Sequence, residues 1–111
     1  MDLRQIRFGL AAVLAAAAFG ATPASAAPSA AQELVIHHCQ QCHQIKGISD
    51  YGNVGPSLVD LKARYPDRKV VAAIIADETK RNPQTVMPPF GRNLILTKQE
   101  IETIIDYLYN Q

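Results

Sequence analysis

The sequence predicts an all-α fold. Apolar residues recur at helical spacing, most clearly at Ile101, Ile104, Ile105 and Leu108 near the C-terminus. Clusters of Gly and Pro separate the helical segments, as expected for connecting loops. The chain contains no run of β-branched residues that would indicate a strand.

Four helices are predicted, joined by loops rich in Gly and Pro. In chain order they cover residues 29–43, 58–64, 67–79 and a last segment after residue 97, with loops over 48–56 and 82–93. Ser29 and Ser57 are suitable N-caps for the first two helices, and Pro66 should end the second. Thr97 and Glu100 have the spacing of a capping box, so the start of the last helix is the best marked.

Residues 1–26 have the pattern of a secretory signal peptide. A short basic segment precedes an apolar stretch over residues 8–21, and the small residues Ala24-Ser25-Ala26 predict cleavage before Ala27. The apolar stretch is shorter than the roughly 20 residues of a membrane span, so an uncleaved anchor is the less favoured alternative. We therefore expect export, followed by a mature single domain over residues 27–111 without a membrane span.

The mature segment is small and close to neutral. Residues 27–111 carry nine Lys and Arg against nine Asp and Glu. Nucleic-acid binding needs a basic face, so this balance argues against a nucleic-acid partner. A domain of this size has a small hydrophobic core and usually needs a disulfide, a metal or a cofactor to stabilise it.

The sequence Cys39-Gln40-Gln41-Cys42-His43 is the attachment signal for c-type haem. Two thiols about one helical turn apart can add to the haem vinyl groups, and the following imidazole can bind the iron. The chain has two cysteines, both in this motif. The alternatives are a thiol–disulfide centre, which would accompany a βαβ pattern, and a zinc site, for which His37 and His38 are the remaining candidate ligands. We expect one covalent haem c at Cys39 and Cys42, with His43 as the proximal ligand.

Met87 is the predicted second ligand of the iron. It is the methionine that remains after cleavage, and Pro88 and Pro89 should make its loop stiff and non-helical. Thioether sulfur is a soft donor that raises the reduction potential. The alternatives are that Met87 fills the core, or that His37 or His38 takes the sixth position.

The segment Gly55-Pro56-Ser57-Leu58 has two possible roles. A metal-bound histidine usually donates its free ring N–H to a carbonyl, and this loop could supply that carbonyl to His43. It could equally be a helix-entry turn, and spacing alone leaves both possibilities open. The possible partners for haem propionates, which the sequence does not separate from ordinary surface residues, are Lys62, Arg64, Arg81 and Arg92.

Together these motifs resemble class I cytochromes c, in which C-x-x-C-H ends an N-terminal helix and G-P-x-L and a loop methionine follow. The resemblance implies a single cytochrome c domain with Pro56 as the carbonyl donor to His43. The segments 52–58, 81–91 and 95–97 are similar to the SoxX family, the small monohaem subunits of SoxAX cytochromes. The run Asn82-Pro83-Gln84-Thr85-Val86-Met87-Pro88-Pro89-Phe90-Gly91 is the most specific part of that similarity.

The SoxX resemblance implies a periplasmic electron-transfer subunit of a thiosulfate-oxidising complex. Its partners would be a larger haem-bearing SoxA-type subunit, in a heterodimer, and a soluble electron acceptor. The complex would act as an L-cysteine S-thiosulfotransferase, while this chain, whose sequence shows no substrate site, would have no catalytic residue of its own. The alternative is a free-standing soluble class I cytochrome c that carries electrons to an oxidase.

Overall fold

The computed structural model describes residues 17–22 and 26–111. Within these ranges it contains four α-helices and no strand, which confirms the predicted all-α class. The helices are α1 (Ala30–His38), α2 (Leu61–Arg64), α3 (Arg68–Asp77) and α4 (Lys98–Tyr109), and a 3-10 turn over Glu78–Lys80 follows α3.

Most of the predicted signal peptide, residues 1–16 and 23–25, lies outside the described residues. Among the helices that the structure describes, none has the length and apolar character to cross a membrane.

Helix α4 is the centre of the packing and contacts α1, α2 and α3. The predicted capping box is present, because Thr97 Oγ1 accepts from the Glu100 amide at 3.1 Å and Glu100 Oε2 accepts from the Thr97 amide at 2.7 Å. The apolar stripe of α4 is buried, and with it the core contains Val35, Ile45, Leu61, Val71, Ile75, Phe90 and Leu96. The last helix therefore has the start and the buried face that the sequence predicted.

Helix α1 begins as predicted but ends earlier. Ser29 Oγ accepts from the Gln32 amide at 3.2 Å, which confirms Ser29 as the N-cap. The prediction that the helix continues to His43 was wrong, because α1 ends at His38. The amide of Gln40 donates to the Val35 carbonyl, five residues back, so the regular i to i−4 pattern stops there.

Helix α2 begins at Leu61 and not at Leu58 as predicted. Asp60 adopts a left-handed conformation with φ of 55°, which interrupts helical geometry before Leu61. Ser57 Oγ accepts from the Val59 amide at 3.2 Å, so its side chain stabilises the preceding turn and does not cap α2. The helix ends at Arg64, two residues before Pro66, as predicted.

Helix α3 closely follows its predicted range and is joined to α4 by exposed ion pairs. Asp67 caps it by accepting from the Lys69 amide at 2.9 Å. Arg68 lies 2.7 Å from Glu102 and 2.8 Å from Asp106. These contacts link the exposed edges of α3 and α4 beside the core.

Candidate haem-binding site

One cavity brings the predicted site residues together. It has a volume of about 430 Å³, and Cys39, Cys42, His43, Pro56 and Met87 all line it. This volume lies within the roughly 300–1,000 Å³ that is usual for small-molecule and cofactor sites. Its aliphatic walls include Leu58, Leu61, Val71, Ile75, Ile104 and Leu108, which come from α2, α3, α4 and the loop before α2.

The two cysteines lie on a tight turn that follows α1. The Cys39 amide donates to the Val35 carbonyl at 2.9 Å, at the end of the helix. The Cys39 carbonyl then accepts from the amides of Cys42 and His43, at 3.1 and 3.0 Å. Because the chain turns here, both thiols and the imidazole reach the same cavity. Because α1 ends at His38, the motif lies on this turn and not on the helix.

The environment of Cys39 argues against the thiol–disulfide alternative. Burial, and to a smaller extent the charge of Cys42, raises the pKa of the Cys39 thiol to about 11. Reactive redox cysteines have a lowered pKa, because the thiolate is the nucleophile.

Over the residues that the structure describes, no group of three or more His, Cys, Asp or Glu side chains is placed to hold a metal ion.

His43 is held by the carbonyl of Pro56. Its Nδ1 lies 2.6 Å from the Pro56 oxygen. A carbonyl can only accept, so Nδ1 carries the proton and Nε2 keeps a free lone pair. The structure thus places Pro56 in the position that the resemblance implied, with the imidazole in the tautomer that a metal-bound histidine uses.

Two glycines allow the loop before α2 to lie directly on this turn. A Cβ at Gly55 would lie 2.7 Å from Nδ1 and 2.9 Å from Nε2 of His43. A Cβ at Gly52 would lie 2.6 Å from the carbonyl carbon of Gln41. The Gly55 amide also donates to the Cys42 carbonyl at 2.7 Å. The sequence predicted a loop at both glycines, and their spacing from C-x-x-C-H gave no signal of this close contact.

Two successive turns hold the backbone that leads to Met87. Asn82 begins the first, since its carbonyl accepts from the Thr85 amide at 3.0 Å and its Oδ1 accepts from the Gln84 amide at 3.2 Å. Thr85 forms the second by accepting at Oγ1 from the Met87 amide at 3.1 Å. Met87 is half-buried, packs against the core and lines the cavity. The Asn82 and Thr85 contacts were not predicted, although both residues favour such turns.

The other two histidines have different environments. His37 is exposed, whereas His38 is half-buried and lines the cavity. The His38 ring packs edge-on against Phe90, with ring centroids 5.7 Å apart. His38 is therefore beside the site, and its aromatic contact supports the loop that follows Met87.

The four possible partners for haem propionates fall into two groups in the structure. Arg64 and Arg81 line the cavity, and Lys62 and Arg92 do not. Arg64 donates to the carbonyls of Ser57 and Val59, and Arg81 lies 5.9 Å from the centre of the Tyr65 ring. Arg64 and Arg81 are thus the candidates for contact with a negatively charged edge of a bound group.

Glu78 lines the cavity, and its Oε2 is buried without a hydrogen bond to any residue that the structure describes. A buried oxygen without a partner is unfavourable. The apolar walls, two thiols, one free imidazole nitrogen and one thioether are the chemical groups that a covalent haem requires. The residues present therefore fit a haem.

A family model described as Cytochrome c matches residues 28–111. The matched range contains every residue of the candidate site and all four helices. Curated protein sequences give no match to the chain.

Proposed function

This chain belongs to the cytochrome c family, whose members hold haem c covalently and transfer electrons, and we propose that it carries one haem attached at Cys39 and Cys42. In this proposal His43 and Met87 bind the iron. The observation that carries it is the single cavity lined by both cysteines, His43 and Met87.

The hydrogen bond to Pro56 prepares His43 for this role. With Nδ1 donating to the carbonyl at 2.6 Å, Nε2 is the atom available to the iron. The same bond fixes the plane of the imidazole and raises its basicity as a ligand. Gly55 packs directly against one face of the ring, where a Cβ would not fit.

The bound haem supplies a one-electron couple between ferric and ferrous iron. The aliphatic side chains of the cavity would keep water away from the iron, and the thioether of Met87, as a soft donor, would favour the ferrous state. If His43 and Met87 both bind the iron, no coordination site would be open to a substrate. The residues of this chain therefore favour outer-sphere electron transfer, and any substrate chemistry belongs to another protein.

We propose further that the chain is the electron-transfer subunit of a periplasmic SoxAX-type complex. The similarity to SoxX in the run from Asn82 to Gly91 supports this, as does the signal-peptide pattern in residues 1–26. The larger SoxA-type subunit would join thiosulfate oxidatively to a cysteine of a carrier protein. This chain would accept the electrons and pass them to a soluble acceptor.

Exposed apolar residues beside the cavity suit a protein partner. Val54 and Val86 line the cavity and remain 65% and 78% exposed. Apolar side chains grouped on a surface often mark interaction sites. A partner that covers these two residues would lie beside the haem edge, where electron transfer over a short distance is possible.

The experiment is to mix the purified holo-protein with the larger haem subunit and measure association and thiosulfate-dependent haem reduction. We expect a complex, and reduction of this haem only when the larger subunit is present. Val86→Asp should weaken association at least tenfold, a change of about 1.4 kcal/mol. Leu94→Asp is the matched control, because Leu94 is 89% exposed and does not line the cavity.

One outcome would contradict the SoxAX proposal, and a second would contradict the proposed interface. The first is the absence of a complex together with ready electron exchange with an oxidase, which would favour the free-standing carrier. The second is a complex in which Leu94→Asp weakens binding and Val86→Asp does not, which would place the interface away from the cavity.

A further inference from the structure

The loop that carries Met87 is attached at its downstream end to the end of α3. The amides of Gly91 and Arg92 both donate to the Ala76 carbonyl, each at 3.1 Å. Ala76 is in the last turn of α3, where carbonyls have no partner within the helix. A Cβ at Gly91 would lie 3.0 Å from the Cα of Ala76, so the loop passes directly over the helix end.

A buried carboxylate strengthens this attachment. Asp77 is 6% exposed, and its Oδ2 accepts from Nη1 of Arg92 at 3.1 Å. Its Oδ1 accepts from the amide of Thr79 at 3.1 Å and from the Thr79 hydroxyl. Arg92 Nη1 also donates to Thr79 Oγ1 at 3.2 Å. One carboxylate therefore joins the end of α3, the 3-10 turn and the loop, and we call this contact the Asp77–Arg92 clamp.

The segment between the clamp and Met87 is short and stiff. Pro88, Pro89 and Phe90 separate Met87 from Gly91, and each proline fixes its own φ angle. Phe90 is buried at 6% exposure, and its carbonyl accepts from the amides of Ile95 and Leu96. Because few torsion angles are free between the two points, we expect a displacement of Arg92 to shift Met87.

We propose that Asp77 is a positioning residue for Met87, acting through Arg92 to hold the methionine loop against the haem cavity. The inference depends on the proposed ligation of the iron by Met87. Loss of the clamp should leave the haem attached and the helices folded, while Met87 leaves the iron more readily. An added ligand such as imidazole should then compete better for the sixth position.

The test measures imidazole binding to the ferric holo-protein. Asp77→Asn and Arg92→Gln should each increase the apparent affinity for imidazole about tenfold, as expected for loss of one charge-assisted hydrogen bond. Arg92→Lys keeps the positive charge and should restore part of the effect. Arg68→Gln is the matched control, because it removes an α3 arginine whose ion pairs go to α4 and not to the loop.

The stability of each variant separates positioning from general destabilisation. If Asp77 has a merely structural role, its variants will lower the free energy of unfolding and bind imidazole as the wild type does, which would overturn the inference. Met87→Ala in the same assay tests the ligation itself. If Met87→Ala binds imidazole no better than the wild type, Met87 is not the ligand, and the proposed ligation fails together with the clamp's role.

Discussion

Nδ1 of His43 donates to the Pro56 carbonyl across 2.6 Å, and Gly55 packs against the same ring. One short loop thus sets both the tautomer and the plane of the imidazole. The Gly55 amide donates in turn to the Cys42 carbonyl at 2.7 Å, so the loop and the cysteine turn hold each other in place.

Gly55→Ala should therefore disturb the imidazole directly. The added Cβ would lie 2.7 Å from Nδ1 of His43, and relieving this contact should cost roughly 1–3 kcal/mol of stability. The absorption spectrum of the holo-protein and its free energy of unfolding in urea measure the two effects. Gly47→Ala is the control: at φ of 79° it introduces about 1–2 kcal/mol of backbone strain, but nothing lies within 4 Å of its Cβ. A Gly47→Ala spectrum altered as much as that of Gly55→Ala would show that the ring contact is not the cause.

Replacing Met87 should change the reduction potential. Met87→His should keep two axial protein ligands and lower the potential, since imidazole favours ferric iron more than a thioether does. Potentiometric titration of the haem measures this, with Leu94→Ala as a control, because Leu94 is exposed and does not line the cavity. An equal potential in Met87→His and the wild type would mean that the iron has a different sixth ligand, and His38, which lines the cavity, would be the next residue to replace.

The Asp77–Arg92 clamp should make stability depend on acid pH. The hydrogen bond from the Thr79 hydroxyl is the largest cause that lowers the pKa of Asp77. The charge of Arg92 lowers this pKa further, and burial acts in the opposite direction. A lowered folded-state pKa gives stability that is fully present above the ordinary Asp pKa of about 4 and is lost as the pH falls through the folded value. Below the ordinary Asp pKa of about 4, the wild type should therefore lose stability more steeply with falling pH than Asp77→Asn does. Urea unfolding of both proteins over this range measures the slopes, and parallel curves would contradict the account.

Local signals in the sequence predicted the elements that local interactions determine. Thr97 and Glu100 predicted the start of α4, and the 3.6-residue spacing predicted its buried face. The C-terminal end of α1 and the start of α2 were mispredicted because they depend on particular backbone bonds and angles. Gln40 donates to Val35, and Asp60 adopts a positive φ, and neither residue type requires that behaviour.

In the candidate site, too, local features were predictable from the sequence and contacts between distant residues were not. Cys39, Cys42 and His43 form a contiguous motif, so their shared location was predictable from sequence. Contacts between distant residues were not, because spacing does not report which side chains meet after folding. The pairing of Asp77 with Arg92 and the unpartnered oxygen of Glu78 belong to this second group.

The mass of the exported holo-protein tests the central claim most directly. If Cys39 and Cys42 form thioethers with one haem and the signal peptide is cleaved before Ala27, the mature chain should weigh one haem more than the polypeptide over residues 27–111. It should stay coloured under denaturing electrophoresis, and neither cysteine should react with a thiol reagent after unfolding. Cys39→Ala should leave one thioether and a lower yield of holo-protein. A colourless chain with two reactive thiols, purified from cells that attach haem to a control cytochrome c, would contradict the account.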